Sequence, residues 1–230
     1  MFPLVSVIIP NYNHARYLDQ RIQSVLGQTY QNFEVIILDD CSTDNSLEVI
    51  EKYRSNPHVV DVIVNKTNSG NTFLQWDKGI KVAKGDWIWI AESDDYCEPN
   101  LLEELAKAAG HRKDTVLAYS TFKVVFDDNK PSEKSRIFPN QYKSGRSYLR
   151  HYLSLSCAVQ NASCAIFRKD AALMVDSAYK TMIGAGDYLF WVKIAEQGSV
   201  AIVNRQLSYF RSHNGVVTAR RDSDGSNMTA

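Results

Sequence analysis

The sequence predicts an α/β fold: a mainly parallel central sheet flanked by helices. Three observations carry this. Strand-like and helix-like segments alternate up to about residue 115. The strand-like ones, such as Val5 to Ile9 and Trp87 to Ala91, are continuous apolar runs, as expected of strands buried on both faces. Three of the four end in distinctive polar groups, Pro10-Asn11-Tyr12-Asn13, Asp39-Asp40 and Glu92-Ser93-Asp94-Asp95, and open α/β sheets bind ligands outside the carboxyl ends of their strands.

Each element follows from local pattern. Val5 to Ile9 is a β-branched strand closed by Pro10, and Leu18, Ile22, Val25 and Leu26 then fall at helical spacing. Glu34 to Leu38 is the second strand. Ser42, Thr43 or Asp44 caps a helix carrying Leu47, Ile50 and Tyr53. Val59 to Val64 is the third strand; Phe73, Trp76, Ile80 and Ala83 line a helix closed by Gly85. After the strand Trp87 to Ala91, Pro99 opens a helix with Leu102, Leu105, Ala106 and Ala109 on one side and Gly110 at its end.

The second half is less regular. Thr115 to Phe126 reads as a long strand, Asp127 to Asn140 as a polar loop, and Gly145 to Leu155 as helix. Ala165 to Phe167 is a short strand, Lys169 to Ser177 helical, and Tyr188, Trp191, Val192 and Ala195 mark a helix ended by Gly198. Val200 to Val203 is the last strand. From Arg220 the chain is polar, as in a loose terminus or the stump of a longer chain.

Composition narrows the class. With 230 residues, 44% of them hydrophobic, the chain can bury a substantial core. Lysines plus arginines number 26, as do aspartates plus glutamates, so no overall field draws the protein to nucleic acid or an anionic bilayer. Cys41, Cys97, Cys157 and Cys164 form no C-x-x-C pair and suit a reducing compartment. The N-terminus has no basic lead before its apolar run, so it reads as a strand rather than a signal peptide. No stretch approaches the roughly 20 apolar residues of a membrane span. A soluble, cytoplasmic protein is expected, at most in transient contact with a membrane's inner face; the sequon Asn161-Ala162-Ser163 is then not a glycan site.

The acids at the strand ends carry the chemistry. Carboxylates gathered at one rim repel one another unless a cation neutralises them, and oxygen ligands suit Mn²⁺ or Mg²⁺. An ion held by one or two carboxylates completes its shell with water and phosphate oxygens, which points to a nucleotide diphosphate ligand. Taken singly, each pair also reads as a turn or helix cap.

Taken together, V-S-V-I-I-P-N-Y-N, F-E-V-I-I-L-D-D-C-S-T-D and the strand ending E-S-D-D resemble the family 2 glycosyltransferases of the GT-A fold. The resemblance covers about residues 1–215 as a single domain. It comprises a Rossmann-like nucleotide-sugar half to about residue 115 and an acceptor half over about 116–215, leaving 216–230 as a tail. It implies a metal-dependent, inverting, hexosyltransferase-type enzyme. Such an enzyme moves a sugar from a nucleotide-diphosphate donor, with a lean to UDP, to a saccharide or lipid-linked acceptor in cell-surface polysaccharide synthesis.

The roles it implies are specific. Pro10 and Tyr12 line the pocket of the donor base, Asp40 accepts a hydrogen bond from that base, and Asp94 contacts the ribose or the metal. Asp95 is the principal metal ligand, and the role of Glu92 stays open. Asp187, in Gly186-Asp187, is the catalytic base, although the family's usual Glu-Asp is here Gly-Asp and a supporting acid is missing. In Tyr209-Phe210-Arg211-Ser212-His213, Arg211 pairs with phosphate and His213 completes the metal shell or contacts the diphosphate. Trp76 stands where relatives carry an Arg near the diphosphate, so no phosphate role passes to it. Selectivity for the acceptor falls to 127–163, where Phe138, Tyr142, Tyr148 and Tyr152 offer faces for sugar stacking or for core packing.

Three other readings remain. A sugar-nucleotide-binding module without catalysis is kept open by Gly186. A response-regulator-like domain would leave Asp187 and His213 unexplained, and a nicotinamide dehydrogenase lacks its G-x-G-x-x-G.

Overall fold

The computed structural model describes residues 3–126, 139–154, 157–182 and 185–212. His213 and Phe138 lie outside them. A nine-stranded sheet runs through the molecule in the order β3-β2-β1-β4-β8-β6-β9-β5, with β7 pairing β9 off this path.

The first four strands are parallel, as their apolar runs predict: β1 (Val5–Asn11), β2 (Phe33–Asp39), β3 (Val59–Val64) and β4 (Trp87–Ile90). Helix α1 (Ala15–Leu26), the short α2 (Ser46–Glu51) and α3 (Thr72–Val82) connect them. Beyond β4 the sheet is mixed. Strand β8 (Ala165–Arg168) runs antiparallel to both β4 and β6 (Thr115–Val125), while β9 (Ser199–Arg211) lies parallel to β6.

Strand residues alternate between two cores. Val5, Val7 and Ile9 pack with α1, α2 and α4 (Leu101–Ala109), whereas Ile8 packs with α3 and α7 (Gly186–Ala195). Both faces are covered, which is why the strand sequences are apolar throughout.

Several boundaries differ from expectation. Strand β1 continues through Pro10 to Asn11. Pairing with β4 stops at Ile8, so the prolyl nitrogen falls where only β2 remains as a neighbour. Asn100 caps α4, so Pro99 precedes the cap. The helix expected from Gly145 is α5 (Gly145–Tyr148) followed by one π-helical turn, Leu149–Leu153.

Three strands extend or add to the predicted set. β9 has 13 residues rather than the four apolar ones read from sequence, because a bulge at Asn204-Arg205 interrupts the alternation. β5 (Tyr96–Cys97) and β7 (Gln141–Ser144) are short strands that pair with β9. β5 follows the acid turn directly, so pairing with β9 ties that turn to the far end of the chain.

Candidate functional site

The carboxyl ends of β1, β2 and β4 share one rim, because the three strands are parallel neighbours in register. Short side chains organise the ends of β1 and β2. Asn11 Nδ2 donates to Asp39 Oδ2 at 2.8 Å, and the Asp39 carboxylate accepts from Ser42 N and Ser42 Oγ at 2.8 and 2.7 Å. Asn13, at φ 56°, accepts from Thr43 N at 2.7 Å, and Cys41 holds φ 65°. Both lie in the left-handed region, which Asn adopts readily and which strains Cys41. Between these turns Tyr12 is 44% exposed, with a ring face open to stacking, whereas Pro10 is buried within β1.

Asp40 departs from the role the resemblance implies. It is 4% exposed and its carboxylate is already occupied. Oδ1 accepts from Asn65 Nδ2 at 2.6 Å and Gln75 Nε2 at 3.0 Å, and Oδ2 from Ser69 N and Ser69 Oγ at 3.0 and 2.7 Å. Asp40 thereby fixes the 65–71 loop.

The acid turn after β4 alternates in burial. Glu92 and Asp94 are half-buried, while Ser93 and Asp95 are each 2% exposed. The inward residues are bonded to protein: Ser93 Oγ lies 2.8 Å from His14 Nδ1, and Asp95 Oδ2 accepts from Asn161 Nδ2 and Ser163 Oγ at 2.8 and 2.7 Å. Asp95 Oδ1 accepts from the Arg211 backbone N at 2.9 Å, and Arg21 Nη2 stands 3.8 Å from Oδ2.

Burial, reinforced by the charge of Asp94, pushes the Asp95 carboxyl up to about 6, even though Arg21 and Ser163 act the other way. Asp95, the principal metal ligand that the resemblance implies, is thus buried and bonded within the fold. Both its oxygens face inward and accept from the fold itself.

Glu92 accepts from Trp76 Nε1 at 2.8 Å, and burial followed by the charge of Asp94 pushes its carboxyl up to about 8. Trp76 is 3% exposed and packs on Phe73, Phe190 and Trp191, in keeping with the packing role read from its spacing.

Arg211 also departs from expectation. It is 2% exposed, with its guanidinium between the rings of Tyr17 and Tyr96 at 4.7 and 5.5 Å. Nε donates to the carbonyl of Asp94 at 2.9 Å and Nη2 to Gln20 Oε1 at 2.8 Å. Nε and Nη2 of Arg211, expected to pair with phosphate, thus bond within the fold.

Asp187 lies in the first turn of α7, where Oδ1 accepts from Tyr188 N at 2.8 Å. The start of α7 packs against the start of α3, which itself follows the loop bound by Asp40. A Cβ on Gly186 would come within 2.3 Å of the Tyr179 carbonyl and 2.5 Å of the Phe73 ring. The acid missing from this position is thus excluded by space. Burial and then the charge of Asp187 push the Cys157 thiol up to about 12; burial and then Asp95 do the same to Cys164.

The sequence reading missed Arg21, Asn161, Ser163, Ser69 and Gln75. Arg21 had a visible signal: it falls on the same face of α1 as Leu18, Ile22 and Val25, and it is fully buried there. Asn161 and Ser163 spell a sequon, yet are 5% and 0% exposed because both bond Asp95.

As to metal, no group of three or more His, Cys, Asp or Glu is close enough among the described residues to hold an ion alone. Two half-buried carboxylates on one side of a turn fit an ion that draws its other ligands from a bound diphosphate and water. No helix among the described residues is long and apolar enough to cross a membrane.

Known proteins share this sequence and this architecture. Over 225 residues the chain is 31% identical to the chondroitin synthase of Pasteurella multocida, a match covering 96% of this chain and 22% of that protein. To the glycosyltransferase GlyG of Streptococcus pneumoniae it is 41% identical over 105 residues, 46% of this chain and 35% of the relative. The crystal structure of Staphylococcus aureus TarS 1–349 in complex with UDP-GlcNAc superposes with a TM-score of 0.72 at 24% identity, over 94% of this chain and 60% of that one. That likeness is one of fold, GT-A with a central sheet between helices. The chain spans about a fifth to a third of the length of these two sequence relatives. The model of glycosyl transferase family 2 matches residues 6–173, taking in the Asp39-Asp40 turn, the Glu92–Asp95 turn and the Asn161–Ser163 support beneath it, and the chain belongs to that family.

Proposed function

We infer that the chain transfers a sugar from a nucleotide-diphosphate donor, a UDP-sugar, to a hydroxyl of a saccharide or lipid-linked acceptor in polysaccharide synthesis. The observation that carries this is the single rim shared by the parallel carboxyl ends of β1, β2 and β4, with the Glu92–Asp95 turn directly after β4. The names of the relatives support the class: one is a chondroitin synthase, and TarS, a poly(ribitol-phosphate) beta-N-acetylglucosaminyltransferase, is solved with UDP-GlcNAc.

In this reading Tyr12 stacks on the base, the 65–71 loop held by Asp40 shapes its pocket, and Asp94 faces the diphosphate. Asp94 would hold Mn²⁺ or Mg²⁺, whose other ligands would come from the diphosphate and water. When bound, the ion supplies electrostatic stabilisation of the departing diphosphate. Asp187 takes the acceptor proton on a carboxylate oxygen as the acceptor oxygen attacks the anomeric carbon opposite the nucleotide. One carbon–oxygen bond forms while the bond to the diphosphate breaks, so the configuration inverts.

The test follows UDP release from UDP-sugars with Mn²⁺ and an oligosaccharide acceptor. Asp187→Asn should lower turnover about 10²- to 10⁴-fold while UDP affinity stays within about twofold, since Asp187 acts on the acceptor. An Asp187→Asn protein that turns over normally would remove Asp187 from the role. The Gly186 packing supports a second reading, a donor-binding module without catalysis. For that module, binding of UDP with no turnover by the parent chain is the expected result.

A further inference from the structure

Helix α3 touches three separate segments through its first two turns. Gln75 donates from Nε2 to Asp40, just past the end of β2, at 3.0 Å. Trp76 donates from Nε1 to Glu92, in the turn after β4, at 2.8 Å. Phe73, one turn before Trp76 on the same face, packs against Gly186 so closely that an added Cβ there would meet its ring at 2.5 Å. The start of the helix is itself fixed. Asn71 caps it by accepting from Phe73 N at 2.8 Å, and its Nδ2 donates to the Lys180 carbonyl at 2.6 Å.

Trp76 meets two of these segments at once. While its N–H bonds Glu92, its ring lies against Phe190 and Trp191 of α7, with centroids 5.8 and 6.1 Å away. Those residues follow Asp187 by one helical turn and so lie on the helix face that carries it. One side chain therefore reaches from the acid turn to the helix of the base candidate. Glu92 is anchored at its main chain too, where its N donates to Ser163 Oγ at 3.0 Å and its carbonyl accepts from Arg21 Nε at 2.8 Å. Core packing explains the ring of Trp76 but not its polar partner. A buried indole N–H needs one acceptor, and a main-chain carbonyl serves for Trp89, whose Nε1 donates to Ser163 O at 2.9 Å. A carboxylate costs more to bury than a carbonyl, so its use by Trp76 adds position rather than stability.

We propose that Trp76 is a positioning residue for sugar transfer: through its indole N–H on Glu92 and its ring on Phe190 and Trp191, it sets the separation between the acid turn and the helix that carries Asp187. This rests on the reading of Asp187 as the base and of the acid turn as part of the donor site. It gives Trp76 a task beyond packing, and it makes Glu92, whose role the sequence leaves open, the anchor through which that task is carried out.

The experiment follows UDP release from a UDP-sugar with Mn²⁺ and an oligosaccharide acceptor, together with UDP affinity by calorimetry, each at a temperature well below the variant's melting point. Trp76→Phe keeps a ring against α7 and removes the N–H. A misplacement of about 1 Å can cost about 10²-fold in rate, so turnover is expected to fall about 10-fold or more, and by a larger factor than UDP affinity. Two backgrounds identify the bond. Glu92→Gln keeps a carbonyl that can accept the indole N–H, and Glu92→Met does not. The loss caused by Trp76→Phe is expected to persist in Glu92→Gln and to vanish in Glu92→Met. A purely structural role would lower the melting temperature and leave turnover near the parent's; that result, with Asp187→Asn inactive, would overturn the proposal alone. So would an equal loss in both Glu92 backgrounds, or a loss of UDP affinity as large as that of turnover. Should Trp76→Phe not fold, Glu92→Met against Glu92→Gln probes the same bond: lower turnover is expected for Glu92→Met, and equal turnover would overturn the proposal. Were Asp187→Asn to turn over as the parent does, or the parent to bind UDP without turnover, the reading of Asp187 as the base would fall and the proposal with it.

Discussion

Replacing Asp95 by asparagine separates a buried structural carboxylate from a ligand more sharply than any other change at the turn. The shape is conserved, but the partner of Arg21 loses its charge. At 3.8 Å, two unit charges attract by about 4 kcal/mol at an effective dielectric of about 20. Removing one member of a buried pair typically costs about 3–5 kcal/mol, because the other is left uncompensated. Burial holds the Asp95 carboxyl up at about 6, so at pH 8 its charge is itself costly and offsets part of this. Asp95→Asn should lower unfolding stability by about 1–3 kcal/mol in urea at pH 8, because its amide also turns a donor towards the groups that donate to Asp95.

The loss should shrink when Arg21 is also removed. Substituting both members by uncharged groups is often near neutral, so Arg21→Met with Asp95→Asn should show a coupling of about 2 kcal/mol in a double-mutant cycle. By contrast, Asp94→Asn, at a half-buried position, should stay within about 1 kcal/mol of the parent. An Asp95→Asn protein as stable as the parent but unable to bind Mn²⁺ would refute this reasoning and restore Asp95 as the ligand.

Three further outcomes are expected. Glu92 titrates at about 8 in the fold against 4.5 ordinarily, so the folded state binds the extra proton. Its contribution to stability is full below about pH 4.5 and is lost as pH rises towards 8; melting temperatures of Glu92→Gln across that window should lack this component of the decline. Gly186→Ala puts a methyl 2.3 Å from the Tyr179 carbonyl, an overpacking that should cost about 1–3 kcal/mol in chemical denaturation, and a neutral result would mean that α7 can shift. Cys41→Gly relieves a left-handed backbone at φ 65° and should stabilise by about 1 kcal/mol, an increment read from the shift in denaturation midpoint.

What the sequence reveals follows from how local each signal is. Val5–Asn11 and Phe33–Asp39 are legible because burial on both faces demands uninterrupted apolar runs. Asp39-Asp40 and Glu92–Asp95 stand out because polar groups end such runs abruptly. The division of labour within them does not show, since it depends on partners far along the chain. Asp95 is claimed by Asn161 and Ser163, 66 and 68 positions away, and Arg211 by Gln20, 191 positions away. Adjacent acids in a turn look equivalent in sequence; the pleat sends one in and the other out. The second half of β9 is hidden for a related reason, as bulges within β9 itself shift its register on β6 and break the alternation of polar with apolar residues.

The central claim is that Asp94, and not Asp95, meets a metal-bound nucleotide diphosphate at the rim formed by β1, β2 and β4. Titration calorimetry of UDP against the parent chain and Asp94→Ala, each with and without Mn²⁺, tests it most directly. The account predicts that Mn²⁺ tightens UDP binding to the parent and has no effect on Asp94→Ala. Equal tightening in both proteins, or none in the parent, would contradict it.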